Sequence, residues 1–542
     1  MSEGDTPYYD VIIIGAGITG LYALHRIREL GLSVRCFEAA DGVGGTWHWN
    51  RYPGARFDSE SYTYAYSWSQ ELIDEWNWSE EFAAQPETCR YLNLVADKFD
   101  LRRDISLNAR IRSAIYGEAT NRWTIETEAG EQASGHFLIT ALGALSAPNM
   151  PNIPGRDGFA GEHWHTSRWP RDPNGFGGKE IDFTGKRVGV IGTGATGIQL
   201  ISELSKTDCE LFVFQLKPEF AAPLHNFALD QDANDDIRAR YPAIFETCRN
   251  SMAGFPYAFD ERSTHDVSPE EREAFWEELY AKPGFAIQMS NFGDTMFDAE
   301  ANKLLSAFID RKIRERVDDP AVAEKLAPGH FGFGLRRLPL ETRYFESYNR
   351  PNVHLIDLRQ TPIERIVPDG IVTSDQMIPL DYIFYATGFD AATGSFLRID
   401  IRGRGGLTLK EKWSTELKTY LGTQTAGFPN MFTLIGPQSG WIFCNIPRCS
   451  EQNVEWVADC IRYMTEHDLE VIEAAPEAET AYTEEVAALV ENSLMATVDS
   501  WFWGSNVEGK KRSFLMYAGG MPAFREKCEE VARNNYAGFI LA

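Results

Sequence analysis

Asp10-Val-Ile-Ile-Ile-Gly15-Ala-Gly17-Ile-Thr-Gly20 is an apolar run that stops at a glycine-rich turn. Ile18, Leu21, Tyr22 and Leu24 follow with helical spacing, so the stretch reads strand, turn, helix. Gly15 permits the tight turn, Gly17 lets a pyrophosphate approach the backbone, and Gly20 lets the helix pack closely on the strand. Phosphate charge then sits at the helix N-terminus. A second strand follows over 32–38, and Glu38 at its end is placed to accept hydrogen bonds from a ribose. Strand, helix and acid together make this a dinucleotide site rather than a bare glycine turn.

The pattern returns at Arg187-Val-Gly-Val-Ile191-Gly192-Thr-Gly194-Ala-Thr-Gly197, followed by Ile198, Ile201 and Leu204 on one helical face. A second dinucleotide is implied. The next strand, 211–214, runs into Gln215-Leu216-Lys217 and offers no carboxylate to bind a 2′-hydroxyl or repel a 2′-phosphate, which favours NADPH. Pro218 ends that strand region. A mainly helical insertion is expected to about His330, its clearest helix carrying Leu304, Leu305, Phe308, Ile309, Ile313 and Val317 on one face and serving packing and substrate shaping. Strands resume at 353–357 and 382–386.

The 542 residues, 43% hydrophobic and 24% charged, suffice for two or three packed domains. A net charge of −27 argues against a nucleic-acid partner, which needs clustered Lys and Arg. No secretory signal and no apolar run of membrane-spanning length is evident, so the expectation is a cytoplasmic protein with no membrane partner. No metal site is expected. The eight cysteines are scattered, as reduced thiols would be. Cys444 and Cys449 are spaced like the redox pair of some flavin disulfide reductases, but such a pair normally follows the first nucleotide unit directly. Ordinary buried thiols are therefore expected there.

Several motifs together resemble type I Baeyer–Villiger monooxygenases along nearly the whole chain. Phe159-Ala-Gly161-Glu-His-Trp-His165-Thr-Ser-Arg-Trp169-Pro170 is similar to the family's F-x-G-x-x-x-H-x-x-x-W-P signature, and amine-oxidising relatives usually lack the Trp-Pro ending. Gly44-Gly45-Thr46-Trp47, then Tyr52-Pro53-Gly54 and Asp58, resembles a second family pattern, and Asp381 through Ala386-Thr387-Gly388-Phe389 a third. The resemblance implies an α/β fold with two Rossmann-like domains, one for FAD and one for NADP, and the helical insertion. It divides the chain into an FAD domain (1–143 and 386–542), an NADP domain (144–217 and 331–385) and the insertion (218–330). His165 is expected to couple the domains.

The implied reaction inserts one oxygen atom from O2 next to a ketone carbonyl, giving an ester or lactone by way of a flavin C4a-peroxide and a tetrahedral adduct. In Phe333-Gly334-Leu335-Arg336-Arg337, the second arginine matches the family's active-site arginine, and Asp58 the carboxylate that holds it. A permanently charged, planar guanidinium suits two successive anions. The sequence departs from the family at Leu216, where Arg is common, and at Arg336, where Lys is common; Lys217 and Arg336 are the expected 2′-phosphate contacts. Residues 500–512 resemble a mobile control loop in which Trp501 folds over the nicotinamide. The closing stretch 534–542 resembles the subgroup acting on a trimethylcyclopentenyl-acetyl-CoA ketone. Two rival readings remain: a heteroatom-oxidising monooxygenase or NADPH oxidase, and a non-catalytic flavoprotein redox sensor. Neither oligomeric state nor substrate identity is legible.

Overall fold

The structure is a computed structural model that describes residues 6–439, 444–507 and 509–542. Its first sheet runs in the order Asp400–Arg402, Ile111–Gly117, Arg122–Thr127, Gln132–Thr140, Tyr8–Ile14, Val34–Phe37, Ile105–Ser106, with Met431–Thr433 also paired to Gln132–Thr140. Around Tyr8–Ile14 the pairing is parallel on both sides, as an apolar run buried on both faces requires. Val11, Ile12 and Ile13 are fully buried, and each such side chain contributes about 1.5–3 kcal/mol of burial free energy.

The second sheet is parallel throughout, in the order Val353–Asp357, Glu210–Gln215, Arg187–Ile191, Tyr382–Tyr385, Glu162–His165. Its strands all come from 162–385, whereas the first sheet draws on strands before 141 and after 399. A separate apolar core joins Phe159, Ile191, Phe214 and Tyr385 to Ile366, Ile371 and Ile378. The last three lie on a three-stranded antiparallel element, Ile363–Val367, Gly370–Thr373 and Met377–Pro379, which the sequence reading did not anticipate.

Between 218 and 330 the chain is mainly helical, with helices Gln231–Asn250, Pro269–Ala281 and Ala299–Glu315. The last begins where Asp298 accepts a cap hydrogen bond from the Ala301 N–H at 2.8 Å. It buries Leu305, Phe308, Ile309 and Ile313, the face expected from spacing. Among the described residues no helix is long and apolar enough to cross a membrane, and no cluster of His, Cys, Asp and Glu could hold a metal ion.

Candidate active site

A cavity of about 800 Å³ is lined by the carboxyl ends of strands from both sheets, at Ile14, Phe37, Ala141 and Ala386, the position where open α/β sheets hold ligands. Gly17 and Gly194, each the residue before a helix, both face it. Neither helix, Ile18–Glu29 nor Ala195–Leu204, has a side-chain cap at its N-terminus. Their leading N–H groups are thus available to phosphate oxygens. Gly15 and Gly192 have φ of +105° and +107°, and a Cβ on either would lie 2.5 Å from a carbonyl oxygen, of Ala141 and Ala386 respectively. Gly20 and Gly197 stand where a Cβ would collide with the carbonyl oxygens of Gly15 and Gly192. The two turns are the same construction used twice, and each fits a dinucleotide.

Glu38 reaches the first turn. Its Oε2 accepts from the Ala16 N–H at 2.7 Å and its Oε1 from the Ala40 N–H at 2.8 Å. Burial pushes its carboxyl up, and these N–H groups oppose that. Gly45 packs against Gly17, so closely that a Cβ on Gly45 would lie 2.8 Å from the Gly17 Cα. Thr46 and Trp47 begin the short helix Thr46–Trp49 beside it and line the cavity. The Trp47 Nε1 donates to the Tyr64 hydroxyl at 2.9 Å.

The segment after this motif bridges the sheets. The Tyr52 hydroxyl donates to Gln199 Oε1 at 2.7 Å, on the helix of the second turn. Gly54, with φ of +82°, lets the backbone pass where a Cβ would sit 2.9 Å from the Gln199 carbonyl oxygen. Asp58 follows, and its Oδ1 accepts from Arg337 Nη2 at 2.9 Å. Arg337 Nη1 donates to the Leu338 carbonyl at 2.8 Å, and the guanidinium lies 4.6 Å from the centroid of the Phe285 ring. Asp58 and Arg337, far apart in sequence, both line the cavity.

The insertion fixes this arginine in ways that spacing alone did not suggest. Asn302 Nδ2 donates to the Phe333 carbonyl at 2.9 Å, and the Phe333 N–H donates to Ser306 Oγ at 2.8 Å. Phe285 is held in turn through its N–H, which donates to the Tyr257 hydroxyl at 3.2 Å. That hydroxyl donates to Glu60 Oε1. Glu60 is buried, which pushes its carboxyl up to about 7. A lone Glu two residues after Asp58 carries no sequence signal for such a role.

His165 ties the signature stretch to the third motif. Its Nε2 donates to the Gly388 carbonyl at 2.9 Å, which leaves Nδ1 to accept from the Ser167 N–H at 3.2 Å. Burial holds its pKa down at about 4, so the ring is neutral at pH 7. Trp169 packs on Phe384, with ring centroids 4.8 Å apart, and its Nε1 donates to the Lys179 carbonyl at 3.0 Å. The Lys179 N–H donates to the Pro170 carbonyl. Phe159 belongs to the second core, and Gly161 sits where a Cβ would strike the Asp381 carbonyl oxygen. None of these five residues lines the cavity.

Lys217 and Arg336 come together at the end of strand Glu210–Gln215, with Arg359 as a third cation that the sequence reading did not single out. Partial desolvation, and then all three cations, hold the imidazole of the exposed His330 down, to about 4. Arg336 is engaged: it pairs with Glu219 at 2.8 Å and lies 4.2 Å from the centroid of the Phe331 ring. In the segment matched to the control loop, Trp501 lines the cavity. Asn506 Nδ2 donates to the Phe389 carbonyl at 2.7 Å, and Lys510 Nζ reaches Asp390 at 2.6 Å. Residue 508 of that loop lies outside the described residues.

One expectation is corrected. Cys444 and Cys449 are not separate thiols but are joined as a disulfide, with Cα atoms 6.6 Å apart. The helix start brings the two together. Asn445 is the residue before helix Ile446–Glu466, so Cys444 and Cys449 occupy the two positions whose side chains meet in a hydrophobic staple. The remaining cysteines, Cys36, Cys89, Cys209, Cys248, Cys460 and Cys528, are free and buried.

Comparison with known proteins agrees with this geometry. Residues 9–218 match the family model described as flavin-binding monooxygenase-like. The 2-oxo-Δ3-4,5,5-trimethylcyclopentenylacetyl-CoA monooxygenase of Pseudomonas putida is 47% identical, with 100% of each chain covered. A Baeyer–Villiger monooxygenase of Pseudooceanicola batsensis is 38% identical over 98% of this chain and 96% of its own. A crystal structure of OTEMO in complex with FAD and NADP superimposes with a TM-score of 0.96 at 47% identity, covering 99% of this chain and 100% of that one. With two uncapped glycine turns opening on one cavity and relatives matched from end to end, the chain belongs to the flavin-binding monooxygenase-like family and, within it, to the Baeyer–Villiger monooxygenases.

Proposed function

We propose that Arg337, held between Asp58 and Phe285, is the residue through which this flavin- and NADPH-dependent monooxygenase converts a ketone to an ester or lactone. The placement of that guanidinium in the shared cavity is the observation that supports the reading. FAD, when bound and reduced by NADPH, activates O2 for transfer of one oxygen atom. Gly15, Gly17, Glu38, Gly45, Thr46 and Trp47 would hold FAD; Gly192, Gly194, Gly197, Lys217 and Arg336 would hold NADPH.

Arg337 faces negative charge as it develops on the ketone oxygen during attack. Its charge is permanent, so it can stabilise that oxygen without surrendering a proton. Asp58 orients the fork by a charge-assisted hydrogen bond, and the Phe285 ring supports its face. Gly20 packs helix on strand, and Trp501 covers the cavity from the control loop. His165 with Phe159, Gly161, Trp169 and Pro170 couples the two halves. We take the domain limits as 1–143, 144–217, 218–330, 331–385 and 386–542.

The name of the Pseudomonas putida relative makes an alicyclic ketone carrying an acyl-CoA arm the first substrate to offer, beside simple cyclic ketones. The test is incubation of purified enzyme with NADPH, air and a panel of ketones and thioethers, followed by mass analysis for products that have gained one oxygen. Oxygenated thioethers without any ester or lactone would favour a heteroatom-oxidising enzyme instead.

A further inference from the structure

We propose that Cys444 and Cys449 form a redox-active modification site in the wall of the cofactor cavity, oxidised from dithiol to disulfide by hydrogen peroxide, and that their state sets the rate of ketone turnover. The pairing follows from the fold rather than from chance proximity. The two residues flank the Asn445 cap of a helix, at the positions whose side chains meet in a staple, and their Cα separation of 6.6 Å is within the range a disulfide spans.

Access is equally specific. All eight cysteines are buried, Cys444 and Cys449 included, but only these two line the cavity of about 800 Å³ that Gly17 and Arg337 also line. Burial raises the thiols of Cys36, Cys248 and Cys528 and so keeps them from forming the reactive thiolate. A third sulfur adjoins the pair, Met521 Sδ at 3.8 Å from Cys444 Sγ.

The oxidant is a product of the protein's own chemistry, because NADPH-driven reduction of O2 without a ketone releases hydrogen peroxide. One thiolate attacks a peroxide oxygen, the O–O bond breaks, and a sulfenic acid and hydroxide result. The second thiol attacks the sulfenic sulfur, the S–S bond forms and water leaves. Two thiols thus give two electrons to one peroxide, and two water molecules are produced overall.

Closing the bond fixes a junction of three segments. The Asn445 N–H donates to the Ala253 carbonyl at 2.8 Å, and Asn445 Nδ2 donates to Thr63 Oγ1 at 2.9 Å. Phe255 and Tyr64, each within two residues of those partners, line the cavity. A staple that can no longer flex stiffens the wall against which the ketone must settle.

The test first reduces FAD-loaded enzyme with dithiothreitol and removes the reductant, then treats it with hydrogen peroxide in the absence of NADPH, counts thiols after unfolding at each stage, and measures ketone turnover before peroxide, after it, and after a second dithiothreitol treatment. Trypsin cleaves after Arg448, so the oxidised form releases two peptides joined through Cys444 and Cys449. The expected result is a fall from eight thiols to six, recovery to eight with dithiothreitol, and ketone kcat/KM reduced several-fold only in the six-thiol form. Cys449→Ser has no partner thiol for Cys444, so after peroxide it should release no pair of peptides joined through positions 444 and 449. Eight thiols after peroxide, or unchanged ketone turnover in the cross-linked enzyme, would overturn the proposal. The kinetic arm rests on the proposed ketone activity. The thiol count does not, so the two can fail separately.

Discussion

Gly17 and Gly45 press together at the mouth of the first glycine turn, and a Cβ on Gly17 would stand 3.4 Å from the Gly45 Cα. That contact is tight but tolerable, and Gly17 needs no positive φ, so Gly17→Ala should fold with near wild-type stability. Its methyl group enters the cavity, where the FAD pyrophosphate would meet the backbone. Gly15→Ala differs, since φ of +105° and a carbonyl oxygen at 2.5 Å strain the backbone itself. The flavin-to-protein absorbance ratio should fall in both variants, and the thermal midpoint in Gly15→Ala alone. Full flavin occupancy in both would mean that the FAD turn lies elsewhere.

The Arg336–Glu219 pair makes nicotinamide selectivity a competition. A 2′-phosphate must draw Arg336 from a carboxylate already 2.8 Å away. Arg336→Ala should therefore lower the NADPH-to-NADH ratio of kcat/KM by about tenfold or more, the worth of a charged hydrogen bond. Glu219→Gln should raise the ratio by freeing the guanidinium. Steady-state kinetics with both cofactors decide it, and an unmoved ratio in Arg336→Ala would remove that residue from the phosphate site.

Glu60 gives the fold a dependence on pH. Its carboxyl is raised from the ordinary 4.5 to about 7, so the folded state favours the protonated form. The stability it contributes is complete below about 4.5 and is lost as pH rises through about 7. Glu60→Gln keeps a neutral side chain that can accept from Tyr257. Denaturant midpoints measured across this interval should fall with rising pH more steeply in wild type than in the variant. Equal slopes would show that Glu60 does not titrate as described.

Both nucleotide units were legible because each packs its signal into local order: apolar strand, glycine turn, amphipathic helix. The strand 353–357 and the buried face of helix Ala299–Glu315 were legible for the same reason. What escaped depends on distant partners. Glu219 looks like any acid until the fold sets it against Arg336, and Phe285 like any core aromatic until Arg337 lies over it. The element Ile363–Pro379 is short and weakly alternating, so periodicity gave it no weight. The distance of Cys444 and Cys449 from the first nucleotide unit says nothing of their pairing, which follows from their places on either side of the helix start at Asn445.

The most direct test of the account is the partition of NADPH electrons between ester and hydrogen peroxide in Arg337→Ala. Removing one preorganised charge from a developing anion costs about 10²–10³ in rate. The variant should retain its fold and FAD, since it touches neither glycine turn, and should still consume NADPH. Ester or lactone should fall by that factor while hydrogen peroxide accounts for nearly all the NADPH oxidised. Asp58→Ala should show a milder form, because the guanidinium remains but loses the 2.9 Å partner that aims it. Wild-type ester yield per NADPH in Arg337→Ala would contradict the central role assigned to that residue.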